Sequence, residues 1–200
     1  MERRELRQQW DAIAETYARR RDPGGSDAAL IDELLAPLEE PFVLDIGPCD
    51  GARTLANLPP GSLGVDVSRK ALELAAERVP QASLVQGDMT QLPVADNTVD
   101  AITAYHAVFH VPRTRHPTVY REFARVLRPG GRLLMSLPDG AFETVRQGWM
   151  GGEMLFSAPG RERTLQTLAE AGFVDCETVT ADDPLGSQTE FVFARRRERL

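Results

Sequence analysis

Two short stretches decide the fold: residues 43–51 read VLDIGPCDG, and residues 64–68 read GVDVS. Each is an apolar run of strand length that contains an aspartate near its end, Asp45 in the first and Asp66 in the second. The first run leads directly into a glycine-containing turn at Gly47. Short apolar runs that alternate with amphipathic helical segments are typical of parallel strands buried on both faces of a sheet. The two stretches therefore predict βαβ units and an α/β fold.

The same alternation continues along the chain. Further strands are expected at residues 82–88, 98–105, 131–137, 173–180 and 189–196, and helices at residues 2–21, 29–38, 53–58, 70–79, 116–127 and 162–171. Helices between buried strands cover both faces of a sheet, so we predict a three-layer α/β/α arrangement. Its seven-stranded sheet is mostly parallel and has an antiparallel terminal strand, since antiparallel pairing is ordinary for two strands at the end of a chain.

No low-complexity segment or linker divides this pattern, and a chain of 200 residues lies within the size range of one domain. We therefore expect a single domain over residues 1–200. Its parts are N-terminal helices that cover the functional site in residues 1–40, a ligand-binding core in residues 41–137, a lid or substrate segment in residues 138–160, and a helix with a strand pair in residues 161–200.

The composition argues against several classes of protein. Hydrophobic residues make up 42% and charged residues 26% of the chain, which is typical of a globular domain. A formal net charge of -7 argues against nucleic-acid binding. No stretch approaches the roughly 18 apolar residues of a membrane helix, and the charged start is unlike a secretory signal. The two cysteines form no CxxC pair, so neither a disulfide framework nor a metal site is expected. We predict a cytoplasmic protein without a membrane partner.

Polar residues follow several of the predicted strands at the ends where open α/β sheets bind ligands. Asp66 follows Gly47 after about 20 residues, the separation at which a nucleotide-binding βαβ unit places a carboxylate for ribose hydroxyls. The third strand ends near Asp88, and the fourth ends near Tyr105 and His106. This arrangement predicts a site for a nucleoside-containing ligand.

Four motifs together resemble the class I, Rossmann-like S-adenosylmethionine-dependent methyltransferase family, in its small-molecule branch. They are VLDIGPCDG, GVDVS, QGDMTQLPVADNTVDAITAYHAVFHV and VLRPGGRLLMS, in that order, with weaker support from WDAIAETYARR and LAEAGF. The resemblance implies a Rossmann-like methyltransferase fold and an enzyme of class EC 2.1.1.-. Its cofactor would be S-adenosylmethionine, its product S-adenosylhomocysteine, and its partner a small-molecule acceptor. A homodimer is a further expectation.

The resemblance also implies roles for the residues at the strand ends. Gly47, Gly51 and the turn between them, with Cys49, would pass the amino-acid end of the cofactor, and Asp45 would lie near its ammonium group. Asp66 would accept hydrogen bonds from the ribose, and Val67 would lie against the adenine face. Asp88 would accept from the adenine amino group, with the backbone of Met89 at the ring edge, and Tyr105 would border the same site.

Cys49 departs from the family, whose members usually have glycine at this position. A Cβ there costs roughly 1–2 kcal/mol if the backbone is left-handed. Either the turn avoids that conformation, or the affinity for the cofactor is reduced. A further alternative makes Cys49 a nucleophile, because a thiol near a helix N-terminus can be activated.

Methyl transfer depends mainly on orientation, so a catalytic base is optional. The candidates are Tyr105, His106 and His110, of which His110 matches a histidine common in this branch of the family; the alternative for His110 is a buried structural role. Substrate contacts are expected from the following residues outside the core motifs: Tyr17, Trp149 and Met154. The stretch from Phe142 to Phe156 could form a lid, or it could belong to the packed core or a dimer surface.

Two other functions compete with methyl transfer. A non-catalytic S-adenosylmethionine-binding regulatory module would explain the departure at Cys49. An NAD(P)-dependent oxidoreductase would use a similar fold, but it predicts the pattern GxGxxG after the first strand, which this chain lacks.

Overall fold

The computed structural model describes residues 3–22, 24–26, 28–182 and 185–198. The start of the predicted first helix at residue 2, and both ends of the predicted domain, lie outside these residues. The helices are α1 (Arg3–Arg20), α2 (Ala28–Leu35), α3 (Arg69–Arg78), α4 (His116–Val126) and α5 (Arg161–Glu170). The strands are β1 (Val43–Ile46), β2 (Leu63–Asp66), β3 (Ser83–Gln86), β4 (Val99–Ala104), β5 (Leu127–Ser136), β6 (Ala141–Trp149), β7 (Gly152–Pro159), β8 (Phe173–Asp182) and β9 (Gln188–Arg196).

Seven of these strands form the main sheet, in the order β3-β2-β1-β4-β5-β9-β8. Strands β1 to β5 pair in parallel, whereas β9 pairs antiparallel with both β5 and β8. The predicted sheet, with its antiparallel C-terminal strand, is therefore confirmed. From β1, the strands β2 and β3 follow on one side of the sheet, whereas β4 and β5 follow on the other side. The strand order therefore reverses between β1 and β4, and open α/β sheets bind ligands at such a point.

Helices cover both faces of the main sheet, which confirms the predicted three layers. Neighbouring residues of a strand point to opposite faces, as Val43 and Leu44 of β1 do. The Leu44 face packs with buried residues of α4 and α5, including Phe123 and Leu168. The Val43 face packs with buried residues of α2 and α3, including Ile31.

The helix predicted at residues 53–58 is wrong. Only a short 3-10 turn, Leu55–Asn57, lies between β1 and β2. Pro59 restricts the residue before it to extended backbone, and Leu58 has a ψ of 158°. Arg53 is also held from the side, because its guanidinium donates hydrogen bonds to the carbonyl oxygens of Asp22 and Asp182 at 2.8 Å each. The segment is too short and too constrained for a regular helix.

The predicted lid segment contains a separate two-stranded antiparallel hairpin, formed by β6 and β7. The sequence pattern does not predict these two strands. The turn between the two strands has positive φ at both Met150 (52°) and Gly151 (91°), the combination that favours a tight hairpin. We refer to residues 141–159 as the hairpin. None of the described helices combines the length and hydropathy that crossing a membrane requires.

Candidate functional site

A cavity of about 410 Å³ lies at the carboxyl ends of β1, β2 and β4, beside the loop that follows β3. This volume falls within the range of small-molecule sites. Helix α1 and the residue that follows it form one wall, with Trp10, Tyr17 and Arg21. The cavity brings together most of the predicted site residues, namely Tyr17, Gly47, Cys49, Asp66, Val67, Asp88, Met89, Tyr105, His106 and His110. Four others do not line it, namely Asp45, Gly51, Trp149 and Met154.

Gly47 forms the tightest part of the turn after β1. Its φ is +70°, and a Cβ at this position would lie 2.9 Å from the Cβ of Ala107. Only glycine fits this backbone and this spacing without a shift of the loop after β4. Gly51 also has a positive φ, but a Cβ there would meet Val79 and Leu55 in the core. Gly47 thus leaves backbone open to the cavity, whereas Gly51 serves the packing behind the turn.

Asp66 is a buried carboxylate at the end of β2 and lines the cavity. It accepts hydrogen bonds from the backbone N–H of Ser68 at 2.8 Å and of Cys49 at 3.2 Å. Burial raises the pKa of Asp66 to about 6, although these hydrogen bonds oppose the shift. A buried carboxylate that still faces a cavity can accept further hydrogen bonds from a ligand.

Asp45 is buried behind the turn and does not reach the cavity. It accepts a hydrogen bond from the hydroxyl of Thr103 at 2.8 Å and another from the hydroxyl of Thr54. Burial raises its pKa to about 6. The carboxylate therefore joins β1, β4 and the segment after the turn, and its expected contact with the cofactor ammonium stays a prediction.

Cys49 has a φ of +54°, so the turn does adopt the left-handed conformation at this residue. The alternative that the turn avoids this conformation is therefore wrong. The side chain is 4% exposed and packs with Ala14, Tyr17 and Ala71. Burial raises the pKa of its thiol to about 12. A thiol with this pKa stays protonated near neutral pH, which argues against the nucleophile alternative.

Asp88 follows β3 and forms the other acidic part of the cavity wall. Its carboxylate accepts from the backbone N–H of Thr90 at 2.8 Å and pairs with Arg3 at 2.9 Å. Arg3 lies at the start of α1 and its side chain is 66% exposed, so this ion pair is screened by solvent and weak. The neighbouring Val67 and Met89 add apolar surface to the same part of the cavity.

Arg21 also lines the cavity, although it is not among the residues predicted from the sequence. It is 9% exposed, forms an ion pair with the buried Asp50, and lies over the ring of Tyr17 at 5.4 Å. Its Nε is buried and has no hydrogen-bond partner among the described residues. The sequence does contain a signal for the burial of Arg21. Trp10, Ala14, Tyr17 and Arg21 follow one another at spacings of four, three and four residues, which place them on one face of a helix. Arg21 thus continues the buried stripe of α1.

Polar contacts fix α1 in its place beside the cavity. The carboxylate of Asp11 accepts hydrogen bonds from the hydroxyl of Ser68 at 2.8 Å and from the backbone N–H of Lys70 at 3.2 Å, at the N-terminus of α3. Glu15 pairs with Lys70 at 2.8 Å. A carboxylate at a helix N-terminus satisfies free N–H groups and interacts favourably with the helix dipole. These contacts hold α1 where it supplies one wall of the cavity, which agrees with the expectation that the N-terminal helices cover the site.

His110 lies in a short 3-10 turn, Val108–His110, and is 5% exposed. Its Nδ1 is 2.8 Å from the carbonyl oxygen of Leu155 in the hairpin. A carbonyl only accepts, so Nδ1 carries the proton and Nε2 presents its lone pair. No described residue donates a hydrogen bond to Nε2. Burial lowers the pKa of His110 to about 4, so the ring is neutral near neutral pH.

Tyr105 and His106 lie at the end of β4 and also line the cavity. The ring of Tyr105 packs against Phe191 with a centroid distance of 4.7 Å. His106 has a left-handed backbone, with a φ of 52°, and its N–H donates to the hydroxyl of Ser136 at 2.9 Å. This unusual backbone turns the chain across the end of the cavity.

Trp149 and Met154 belong to the hairpin and lie behind the cavity wall. Trp149 packs edge-on against Trp10, with ring centroids 6.0 Å apart, and lies 5.7 Å from the ring of Tyr17. Met154 is fully buried beside Ile13. The hairpin therefore supports α1 and His110 from behind. Among the described residues, no group of three or more His, Cys, Asp or Glu is arranged to hold a metal ion.

Comparison with known proteins identifies the core of the chain. A family model described as "Methyltransferase domain" matches residues 44–135. Residues 44–135 belong to the methyltransferase-domain family. The cavity uses Gly47, Asp66, Asp88 and His110 from this methyltransferase domain, and Arg21 from outside it.

Individual relatives match this chain over different lengths. A bifunctional biotin biosynthesis protein of Cellvibrio japonicus is 35% identical over 126 residues, which cover 61% of this chain and 25% of that protein. A demethylmenaquinone methyltransferase of Mycolicibacterium paratuberculosis is 47% identical over 75 residues, which cover 36% of this chain and 30% of that protein. The chain thus spans less than a third of the length of each of these two relatives.

Solved structures share the fold over the whole chain. The magnesium protoporphyrin IX methyltransferase of Synechocystis, solved with bound S-adenosylhomocysteine, superimposes with a TM-score of 0.73 at 15% identity. The superposition covers 98% of this chain and all of the other. At this identity the similarity is one of fold, and it supports the Rossmann-like arrangement around the methyltransferase domain.

Proposed function

We propose that the protein is an S-adenosylmethionine-dependent methyltransferase, of class EC 2.1.1.-, that acts on a small-molecule acceptor. One observation carries the proposal: Asp66 and Asp88, from the ends of neighbouring strands, face the same cavity as the turn at Gly47. A nucleoside linked to an amino acid presents hydroxyls, a base amino group and a charged end, and this cavity offers a matched partner for each.

Two features of the cavity fit such a cofactor. The turn at Gly47 leaves a space that a Cβ would fill, since that Cβ would lie 2.9 Å from Ala107. The Nε of Arg21 is a buried donor without a partner among the described residues, and the Arg21 side chain lines the same cavity as this turn. A buried unpaired donor costs about 1–3 kcal/mol, which a carboxylate ligand would recover. Arg21 therefore suits the carboxylate of the cofactor.

The roles of the other residues follow from their chemistry. Asp66 accepts hydrogen bonds from the ribose hydroxyls, and Val67 packs against the adenine face. Asp88 accepts from the adenine amino group, while the backbone of Met89 meets the ring edge. Asp45 and Gly51 hold the turn in shape behind the cavity.

The bound cofactor supplies an electrophilic methyl group on a sulfonium. The protein holds the acceptor in line with that methyl and excludes water from the site. Orientation of this kind can supply roughly 7–11 kcal/mol. Tyr105, His106 and His110 line the part of the cavity beyond the turn and are the candidates for binding the acceptor or taking its proton. Tyr17 contacts the acceptor directly in this proposal, whereas Trp149 and Met154 act by supporting the wall.

A small-molecule acceptor is supported by the demethylmenaquinone methyltransferases among the relatives. It is also supported by the size of the cavity, which suits a small ligand. The net charge of -7 disfavours nucleic acid as the acceptor. A cytoplasmic location and a homodimer stay predictions of the sequence.

Calorimetry tests the proposal against its two competitors. We expect S-adenosylhomocysteine to bind and NAD not to bind. Asp66→Asn should weaken the binding of S-adenosylhomocysteine at least tenfold, whereas the exposed control Asp139→Asn should leave it unchanged. Binding of NAD instead would favour the oxidoreductase. A non-catalytic module would bind S-adenosylmethionine yet transfer no methyl group to any member of an acceptor panel.

A further inference from the structure

The acceptor side of the cavity differs in its chemistry from the cofactor side. Among the described residues that line the cavity, the carboxylates are Asp66 and Asp88, and both belong to the proposed cofactor side. Among the same residues, the cations are Arg3, which pairs with Asp88, Arg21, which pairs with Asp50, and Arg115, which donates to the hydroxyl of Thr90. The part next to His110 is bordered by Trp10, whose ring packs against it, and by the adjoining Val111 and Pro112. This surface contains no acidic group among the described residues.

His110 is held in one orientation by its surroundings. The ring packs edge-on against Trp10 at 4.9 Å and against Phe156 at 5.0 Å, and it lies 4.6 Å from the ring of Phe109. The hydrogen bond from Nδ1 to the carbonyl oxygen of Leu155, at 2.8 Å, fixes the tautomer. The free lone pair on Nε2 is therefore a fixed hydrogen-bond acceptor in an apolar setting.

These features discriminate between acceptors of different charge. A protonated amine would lose its hydration near His110 without meeting a carboxylate, which is costly. An anion would face the lone pair of Nε2, which repels it, while the arginines that line the cavity are already paired with carboxylates or, in Arg115, hydrogen-bonded to Thr90. The titratable neighbours that act on His110 are His106 and Arg146, and both lower its pKa and so keep the ring neutral. A neutral hydroxyl instead donates its hydrogen to Nε2.

We propose that the acceptor is an uncharged molecule with a weakly acidic hydroxyl on an apolar ring, and that this hydroxyl donates to Nε2 of His110. This inference rests on the proposed methyltransferase function. The aromatic side chains that border this part of the cavity favour a ring as the body of the acceptor, because aromatic groups pack well edge-to-face.

The step balances with His110 as the base. A lone pair of the hydroxyl oxygen forms the new bond to the methyl carbon, while the carbon–sulfur bond breaks and its electron pair stays on sulfur. The electron pair of the O–H bond stays on oxygen, and the proton passes to Nε2. The products are a methyl ether, a thioether and a protonated His110, whose Nδ1–H still donates to Leu155. His110 then releases the proton to water. A weak base suffices here, because an oxygen that carries a new methyl group holds its proton very weakly.

The test compares three ligands with one ring system and different charges, namely 2-naphthol, 1-naphthylmethylamine and 2-naphthoate. Each is titrated at pH 7.5 into protein saturated with S-adenosylhomocysteine. We expect 2-naphthol to bind at least tenfold more tightly than the other two. A preference for the amine or the carboxylate, equal binding, or no binding of any of the three would overturn the inference. Failure of S-adenosylhomocysteine to bind in the first place would instead contradict the proposed function, so the two failures are distinguishable.

Variants and spectroscopy test the role of His110 separately. His110→Phe should abolish the preference for 2-naphthol, whereas His116→Gln should keep it, because His116 is buried but does not line the cavity. In nitrogen-15 spectra the Nε2 resonance of His110 should shift on addition of 2-naphthol, since Nε2 receives the new hydrogen bond. An unchanged Nε2 resonance in a complex that binds 2-naphthol would show that the hydroxyl lies elsewhere and would refute the inference. This readout needs no turnover, and it distinguishes contact with His110 from a purely structural effect.

Discussion

The left-handed backbone at Cys49 allows a quantitative prediction with two substitutions. With a φ of +54°, a side chain at this position carries a strain of roughly 1–2 kcal/mol, which glycine avoids. A glycine lowers the free energy of unfolding by roughly 0.5–1 kcal/mol, because it gives the unfolded chain more conformational freedom. The balance of these two effects makes the Cys49→Gly variant more stable than the Cys49→Ala variant by about 0.8 kcal/mol.

Both substitutions also remove the buried sulfur atom, which packs beside Ala14 and Ala71 and contributes on the order of 1 kcal/mol. Relative to the natural protein, Cys49→Ala should therefore lose about 1 kcal/mol, because it keeps the strain and loses the packing. Cys49→Gly should be close to neutral, because relief of the strain offsets the lost packing. The expected order of stability thus runs opposite to the usual preference for alanine over glycine.

Equilibrium unfolding in urea, under reducing conditions, measures the effect as a shift in midpoint at constant slope. The matched control is Gln8, an exposed residue within α1. There, Gln8→Gly should be less stable than Gln8→Ala by about 1 kcal/mol, as in an ordinary helix. If Cys49→Ala is more stable than Cys49→Gly, as at the control position, the argument from backbone strain is refuted. Calorimetry on the same proteins shows whether removal of the side chain also raises the affinity for S-adenosylhomocysteine.

Three further predictions follow from the buried carboxylates and from the hairpin. Burial raises the pKa values of Asp45 and Asp66 to about 6, so the folded state binds protons more readily than the unfolded chain. The ligand-free protein should therefore gain stability as the pH falls from 7.5 to 5, by about 1.4 kcal/mol for each of the two groups, while its affinity for S-adenosylhomocysteine falls through pH 6. Urea titrations and calorimetry at matched pH check both, and a parallel rise of stability and affinity would contradict the prediction. Gly152→Ala should destabilise the protein by roughly 1–3 kcal/mol, because a Cβ there would lie 2.7 Å from Cγ2 of Ile13 in α1; an unchanged unfolding midpoint would show that the hairpin and α1 pack less tightly. Proteolysis of residues 148–160 should slow when S-adenosylhomocysteine is added, if this segment acts as a lid; equal cleavage rates would argue against a lid.

The sheet and its ligand-binding edge could be predicted from local patterns. Apolar runs such as residues 43–46 have the length and composition of buried strands, and the polar residues that follow them mark the carboxyl ends. Asp66 and Asp88 were found in this way, because parallel strands bring their carboxyl ends to the same edge. The placement of these two residues could be predicted because it depends only on the direction of the strands.

Other parts of the site depend on contacts between distant segments. The resemblance implied a cofactor contact for Asp45, and this contact stays a prediction, because the carboxylate accepts hydrogen bonds from the hydroxyls of Thr54 and Thr103 and does not line the cavity. The hairpin was missed because its first strand, β6, is mostly exposed and lacks the apolar run of a buried strand. Arg21 was missed because an arginine at the end of a helix is usually solvated, although its spacing from Tyr17 continues the buried stripe of α1.

The sequence by itself determined the strands of the main sheet, its antiparallel final strand, the turn at Gly47, and the match of residues 44–135 to the methyltransferase-domain family. These features follow from periodicity and from short motifs, which act over a few residues. Only the tertiary structure decided that Arg21 enters the cavity and that a carbonyl of the hairpin fixes the tautomer of His110. Both contacts join segments far apart in the chain, and the packing of α1 and the hairpin against the sheet sets their geometry.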